Sequence, residues 1–199
     1  MRDKLLVILV ASVLLAATGA LAYTSGVPTG LTGAPGEDTC ANCHDNLNNG
    51  SGGVTISAPA TYSAGETIEV FVQAFHGGQR KWGFEITALD DSNQPVGQFV
   101  ITDAARTQLD VDGGNGREYV MHTEVGTDED VLDTSPGWAF DWVAPAGRPA
   151  VTFYACAVAA NNGQGTNGDF CYTASLSSTL TETGLDDEST WSRIKRMYQ

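Results

Sequence analysis

Thr67-Ile68-Glu69-Val70-Phe71-Val72-Gln73-Ala74-Phe75 is the most regular stretch of this chain, because every second residue in it is aliphatic. Successive side chains of a β-strand point to opposite faces of a sheet, so the alternation gathers the aliphatic side chains on one face. This pattern is typical of a strand that is buried on one side. We therefore predict a β-strand over Thr67–Phe75 whose core-facing residues are Ile68, Val70, Val72 and Ala74.

Short segments of similar composition lie on both sides of this strand, separated by turn-forming Gly, Pro, Asn and Asp. The other predicted strands are Val54–Ser57, Trp82–Asp90, Gln98–Thr102, Arg117–Thr123, Trp138–Val143, Val151–Ala159 and Phe170–Ser178. Many short strands with such turns are typical of two antiparallel sheets packed face to face. The predicted fold class is therefore all-β, an antiparallel β-sandwich over residues 54–180.

The start of the chain has the pattern of an export signal. A charged start at residues 1–4 precedes an apolar run from Leu5 to Ala20 and the small-x-small sequence Ala20-Leu21-Ala22. We predict that residues 1–22 are a signal peptide that is removed, and that the protein is periplasmic or lies at the cell surface. The alternative is a retained anchor, but the run of about 16 apolar residues is shorter than the roughly 20 that span a bilayer.

The chain has 199 residues and a net charge of −14, which disfavours nucleic acid and favours basic partners. This length suits one domain with a single core. A Gly- and Pro-rich extended segment at 23–53 precedes the sandwich, and an acidic linker with an amphipathic tail follows at 181–199, ending in a predicted short helix. These two segments are the candidate contacts for redox partner proteins, for self-assembly or for a membrane complex.

Cys40-Ala41-Asn42-Cys43-His44 is a C-x-x-C-H motif. Two thiols at this spacing form thioether bonds to the vinyl groups of a haem, and the adjacent histidine binds the iron. A zinc half-site would need a second close pair, which Cys156 and Cys171 do not form, and a redox C-x-x-C belongs to α/β chains. We predict one covalent haem c, held by Cys40 and Cys43, with His44 as the proximal iron ligand.

The sixth iron position has four candidates in the sequence: His76, Met121, His122 and Met197. A histidine there gives a lower reduction potential than a methionine, because thioether sulfur favours ferrous iron. Alternation along the predicted strand Arg117–Thr123 places Met121 and His122 on opposite faces, so both cannot reach one iron. On these grounds alone the choice stays open, and so does a vacant sixth position.

Seven stretches spread in order over residues 32–175 form a further pattern: Thr32–His44, Gly65–Thr67, Trp82–Leu89, Tyr119–Thr123, Trp138–Pro145, Val151–Ala155 and Ala159–Gly163. Together they resemble the bacterial Reeler-like secreted proteins, also described as choice-of-anchor domains. The resemblance implies an immunoglobulin-like sandwich with the haem segment packed against one end. It also implies His122, rather than His76 or Met121, as the distal iron ligand.

Cys156 and Cys171 depart from this resemblance, since the relatives carry small residues there. The two cysteines lie in consecutive predicted strands of a protein predicted to be exported to an oxidising compartment. We therefore predict a disulfide between them, which adds about 3 kcal/mol in the chain-entropy model. The alternatives are free thiols and bonds to a neighbouring subunit.

The leading hypothesis for function is an exported monohaem c-type cytochrome that carries electrons and is not an enzyme. One alternative is a surface or adhesive β-sandwich module with a structural haem. Another is a haem sensor or peroxidase-like protein with an open sixth position. No Ser–His or Cys–His pairing in the sequence supports hydrolytic catalysis.

Overall fold

The computed structural model describes residues 23–147, 150–163 and 165–181. The predicted signal peptide and the predicted C-terminal helix lie outside these residues. Within them the chain forms ten strands: β1 (Gly53–Ser57), β2 (Thr61–Tyr62), β3 (Thr67–Phe75), β4 (Lys81–Leu89), β5 (Gln98–Val100), β6 (Thr107–Val111), β7 (Glu118–His122), β8 (Trp138–Val143), β9 (Ala150–Ala160) and β10 (Phe170–Leu180). No described helix is long and apolar enough to cross a membrane.

The alternating stretch forms β3 with the predicted bounds, and its four aliphatic residues are at most 3% exposed. The other predicted strands are also present, each within two residues of its predicted limits. Two strands were missed, β2 and β6. β2 has only two residues, and β6 lies at a sheet edge with most of its residues exposed, so neither has a buried face that would leave an apolar pattern.

The strands form two sheets, one of four strands in the order β1-β3-β8-β5 and one of six in the order β2-β10-β9-β4-β7-β6. The all-β prediction is confirmed. The prediction of purely antiparallel sheets is wrong at one edge, where β2 pairs parallel to β10. The two strands are far apart in sequence, so no hairpin forces them to run in opposite directions.

The core lies between the two sheets and is rich in aromatic side chains. The ring of Phe84 on β4 stacks on that of Trp138 on β8, with centroids 4.3 Å apart. Trp142 on β8 meets Phe153 on β9 edge to face, at 5.3 Å. Each pair joins one sheet to the other. The buried indole N–H groups are satisfied, since those of Trp138 and Trp142 donate to backbone carbonyls at 2.8 and 3.1 Å.

The six-stranded sheet is also covered on its outer face, because the segment before β1 packs across it. Strand β4 is buried along almost its whole length, which fits a strand with both faces covered. The backbone N–H of Leu31 donates to Glu85 on this face at 2.6 Å, and Cys40 packs against a cluster that contains Cys156, Val158 and Cys171. This packing brings the C-x-x-C-H motif to the outer face of the sheet.

Candidate haem site

The C-x-x-C-H motif winds into a short 3₁₀ helix, Cys40–Asn42. Thr39 caps it, since its hydroxyl accepts the backbone N–H of Ala41 at 3.3 Å. The N–H groups of Cys43 and His44 both donate to the carbonyl of Cys40, at 3.2 and 3.0 Å. Through this tight turn, Cys40, Cys43 and His44 all line one cavity.

The cavity lies where β4 begins and where β7 and β9 end. It is open to solvent and has a cavity volume of about 70 Å³, below the roughly 300–1,000 Å³ that is usual for ligand sites. The N-terminal stretch from Tyr23 to Leu31 forms part of its wall. The other lining residues include Cys40, Cys43, His44, Gly83, His122 and Val158. The predicted haem-attaching residues and the predicted distal ligand therefore share one cavity.

His44 is held by a buried carboxylate. Its Nδ1 lies 2.8 Å from Oδ2 of Asp169, whose side chain is only 3% exposed. Because Nδ1 is occupied by this bond, Nε2 is the ring nitrogen that is left to bind a metal. Asp169 lies 125 residues from His44 in the chain, and no sequence pattern links the two.

His122 lies at the end of β7 with its ring over the backbone of β4. Its Nδ1 is 3.1 Å from the N–H and 3.2 Å from the carbonyl of Phe84, and its Nε2 is 3.1 Å from the carbonyl of Tyr23. Burial lowers the pKa of His122, so the ring is neutral at neutral pH, and a neutral imidazole is the form that binds metals. In the tautomer that satisfies both contacts, Nδ1 accepts the N–H of Phe84 and Nε2–H donates to the carbonyl of Tyr23. Nε2 becomes available to a metal in the other tautomer, once the contact with Tyr23 is released.

The His122 ring occupies space that is free because Gly83 has no side chain. A Cβ on Gly83 would stand 2.9 Å from Cε1 of His122, closer than real Cβ atoms come to their neighbours. A side chain at this position would therefore push the imidazole out of its pocket. Nothing in the local sequence pattern marked Gly83 as part of the site.

The two motif thiols have different surroundings. Cys43 is exposed, whereas Cys40 is 3% exposed and its backbone N–H donates to the sulfur of Cys156 at 3.3 Å. A hydrogen bond to Cys156, together with burial, raises the pKa of the Cys40 thiol. Cys40 is therefore a neutral thiol at neutral pH.

Two of the other candidates for the sixth iron position, His76 and Met121, do not line this cavity. His76 lies in the turn after β3 and stacks on Phe170, with ring centroids 4.1 Å apart. Met121 is buried beside Glu85 and Gln108, its partners on β4 and β6. Met197 lies outside the described residues. Among the described candidates, His122 alone lines the cavity with the motif.

The structure has Cys156 and Cys171 as buried free thiols, so the predicted disulfide is not formed in it. The register explains this, because Cys171 lies opposite Val158 and Cys156 lies opposite Thr173. The two cysteines are thus diagonal neighbours, for which Cα atoms are typically about 7–8 Å apart, whereas a disulfide needs about 4.4–6.8 Å. Adjacency of the strands was predicted well, but the register was not visible in the sequence.

No family model matches the chain, and no curated protein sequence matches it. Among solved structures, the chain is similar to a cohesin module from the family 33 glycoside hydrolase of Clostridium perfringens ATCC13124, at 10% identity and a TM-score of 0.44, covering 67% of this chain and 98% of that chain. It is also similar to a non-cellulosomal cohesin from the hyperthermophilic archaeon Archaeoglobus fulgidus, at 11% identity and a TM-score of 0.36, covering 69% and 97%. These values are too low to assign this chain to the family or the role of either cohesin.

Proposed function

We propose that this protein is an exported c-type cytochrome that binds one haem covalently and transfers electrons outside the cytoplasm. The observation that supports it most is the convergence of Cys40, Cys43, His44 and His122 on one apolar cavity. His122 is 78 positions from His44 in the sequence, so only the fold brings the two histidines together. Export, an immunoglobulin-like (Reeler-like) fold and membership of that family are parts of the same proposal.

The donor residues present fit the group, whereas the cavity of about 70 Å³ would have to widen to admit it. Cys40 and Cys43 would hold the haem through thioether bonds, and His44 would bind the iron through Nε2, since Asp169 occupies its Nδ1. His122 would also bind the iron through Nε2, and its Nδ1–H would then donate to the carbonyl of Phe84. The carbonyl of Tyr23 would give up its contact with that nitrogen.

The haem would supply a one-electron couple between ferric and ferrous iron. The chain's own part is to fix two imidazoles and to keep water away from them. Apolar side chains such as Val27, Leu31 and Val158 line the cavity and exclude water, which helps to set the reduction potential. The net charge of −14 favours a basic redox protein as partner.

Covalent haem is the first expected result. The full-length gene, expressed in a bacterium that attaches c-type haem, should yield an exported protein with one haem that resists acid–acetone extraction. The pyridine haemochrome spectrum measures it. The Cys40→Ala/Cys43→Ala variant should carry none, because the thioether bonds have no sulfur. Wild-type protein without covalent haem, made in a host that loads a control cytochrome, would rule out the proposed function.

The distal ligand is tested by replacing His122 with Met. The midpoint potential should rise by at least about 59 mV, a tenfold change in the one-electron equilibrium, because thioether sulfur favours ferrous iron. Spectroelectrochemistry measures the potential. His76→Met is the matched control, since His76 lies outside the cavity, and it should leave potential and spectrum as they are. If the two variants behave alike, His122 is not the ligand.

A carrier is separated from a sensor or peroxidase by ligand binding. With both histidines on the iron, the wild-type visible spectrum should be six-coordinate and low-spin, and carbon monoxide should change it little. Reversible reduction by a soluble donor should accompany this spectrum. A high-spin spectrum with rapid carbon monoxide binding would instead favour the open-site alternative.

A further inference from the structure

Hydrogen bonds fix both the side chain and the backbone of Asp169 at the site. It immediately precedes β10, and its side chain is 3% exposed. Oδ2 is 2.8 Å from Nδ1 of His44, and Oδ1 accepts the backbone N–H of Asn161 at 3.1 Å. The carbonyl of Asp169 accepts the side-chain amide of Asn46 at 3.0 Å, so the backbone is fixed as well.

A buried carboxylate is costly unless its lone pairs are paired, so this arrangement needs a compensating partner. In the described part of the chain, the cation-forming group within hydrogen-bond distance of Asp169 is His44. The second oxygen has only a backbone donor. Among the described side chains, the carboxylate therefore has the His44 imidazole as its one charged or chargeable partner.

We infer that Asp169 is a positioning residue that holds His44 with Nε2 free and lowers the reduction potential of the haem that His44 would bind. The inference rests on the proposed function, since it names what sets the potential at that site. A carboxylate on the far nitrogen of a ligating histidine fixes the tautomer and raises the basicity of the ligand. It acts through His44 and does not itself touch the haem.

The direction of the effect follows from charge. Ferric iron carries one more positive charge than ferrous iron, so a buried negative charge that acts through the ligand stabilises the ferric state more. Reduction adds one electron to the iron and neither forms nor breaks a bond to Asp169. Replacing Asp169 by an uncharged residue of the same shape should therefore favour ferrous iron and raise the reduction potential of the haem.

The closing experiment compares Asp169→Asn with Asp45→Asn in the haem-loaded protein. Asp45 follows His44 in the sequence and is exposed, so its substitution removes the same charge from the same neighbourhood without touching the imidazole. Asp169→Asn should change the reduction equilibrium at least tenfold, about 59 mV upward for one electron, with the low-spin spectrum unchanged. Asp45→Asn should change it much less, because exposed charges are screened.

Equal potentials of Asp169→Asn and Asp45→Asn, with covalent haem present in both, would overturn the inference and leave the proposed function standing. Absence of covalent haem in the wild type would instead overturn the proposed function, and the two failures are thus distinguishable.

A second measurement covers the case in which Asp169→Asn does not retain haem. In the haem-free Cys40→Ala/Cys43→Ala protein, ¹⁵N spectra of the three histidines at pH 9 report which ring nitrogen carries the proton. His44 should carry it on Nδ1 when Asp169 is present. In the same protein with Asp169→Asn, the Nε2–H form should gain population by at least tenfold relative to Nδ1–H. An unchanged tautomer ratio would overturn the inference.

Discussion

Replacing Arg117 by Met is expected to lower the free energy of unfolding by about 3 to 5 kcal/mol, the cost of leaving one partner of a buried ion pair unpaired. The guanidinium of Arg117 donates to the carboxylate of Glu37, and the two side chains are 11% and 4% exposed. Arg117 also donates to the carbonyls of Pro35 and Asn93, at 3.1 and 3.2 Å. The substitution removes all three hydrogen bonds and leaves the buried carboxylate of Glu37 without its cationic partner.

This cluster fastens the segment that precedes the C-x-x-C-H motif to the sheet. Glu37 also accepts hydrogen bonds from the hydroxyls of Tyr119 on β7 and Thr32, at 2.7 and 2.5 Å. Loss of Arg117 should therefore release residues 31–47 from the outer face more readily than it unfolds the sandwich. We expect faster protease cleavage within this segment and weaker retention of haem.

Urea unfolding followed by tryptophan fluorescence measures the loss, and limited proteolysis locates it. Arg80→Met is the matched control, since Arg80 is exposed and surface substitutions of this kind stay within about 0.5 kcal/mol. The pairing is tested further by the double variant Glu37→Gln/Arg117→Met, which should lose less stability than the sum of the single variants. If Arg117→Met is no worse than Arg80→Met, the cluster does not anchor the segment.

Glu85 should make the protein less stable as the pH rises. Its side chain is fully buried on the outer face of β4, with one oxygen bonded to the N–H of Leu31 and the other, Oε1, without a hydrogen-bond partner. Burial raises the pKa of Glu85 to about 8, the Leu31 N–H opposes this, and the charge of Glu37 adds to it. The carboxyl is therefore protonated in the folded protein at neutral pH.

The sign follows from linkage. The unfolded chain loses the proton of this carboxyl near its ordinary pKa of 4.5, whereas the folded protein keeps it up to about 8. Between these values the folded state binds more protons, so stability falls as the pH rises. The whole interval corresponds to a loss of roughly 5 kcal/mol, which is complete once the pH has passed the folded pKa.

Glu85→Gln keeps the shape and removes the titration, so its stability relative to wild type should grow by roughly 3 to 5 kcal/mol between pH 5 and pH 8.5. Urea unfolding at the two pH values measures this difference. Glu69→Gln is the control, since Glu69 is exposed on β3, and its difference from wild type should stay constant. A constant difference for Glu85→Gln as well would show that the buried carboxyl does not titrate in this range.

The strands and the C-x-x-C-H motif were the predictable parts, because each consists of contiguous residues. The alternation in Thr67–Phe75 states which side chains face the core, and β3 follows it at every position. The turn residues placed the remaining large strands within two residues. Strands β2 and β6 have no buried face, so their sequences show no alternating apolar pattern and they were missed.

The contacts between distant residues were much less predictable. The resemblance singled out His122, and the cavity places it with the motif. Nothing local pointed to Asp169, since an aspartate in a Gly- and Asn-rich turn has the pattern of a solvated loop residue. Strand register decides whether two sulfurs meet, and the structure has Cys156 and Cys171 as free thiols at diagonal positions of β9 and β10.

The sequence by itself therefore determined an all-β chain and a contiguous Cys40–His44 motif whose spacing suits covalent haem, since alternation and motif chemistry depend only on neighbours along the chain. The tertiary structure alone decided that Asp169 meets His44 and that Gly83 makes room for His122. These contacts join residues up to 125 positions apart and depend on the order and register of the strands that carry the loops. Such pairings arise from the packing of the whole core, which no single stretch of sequence encodes.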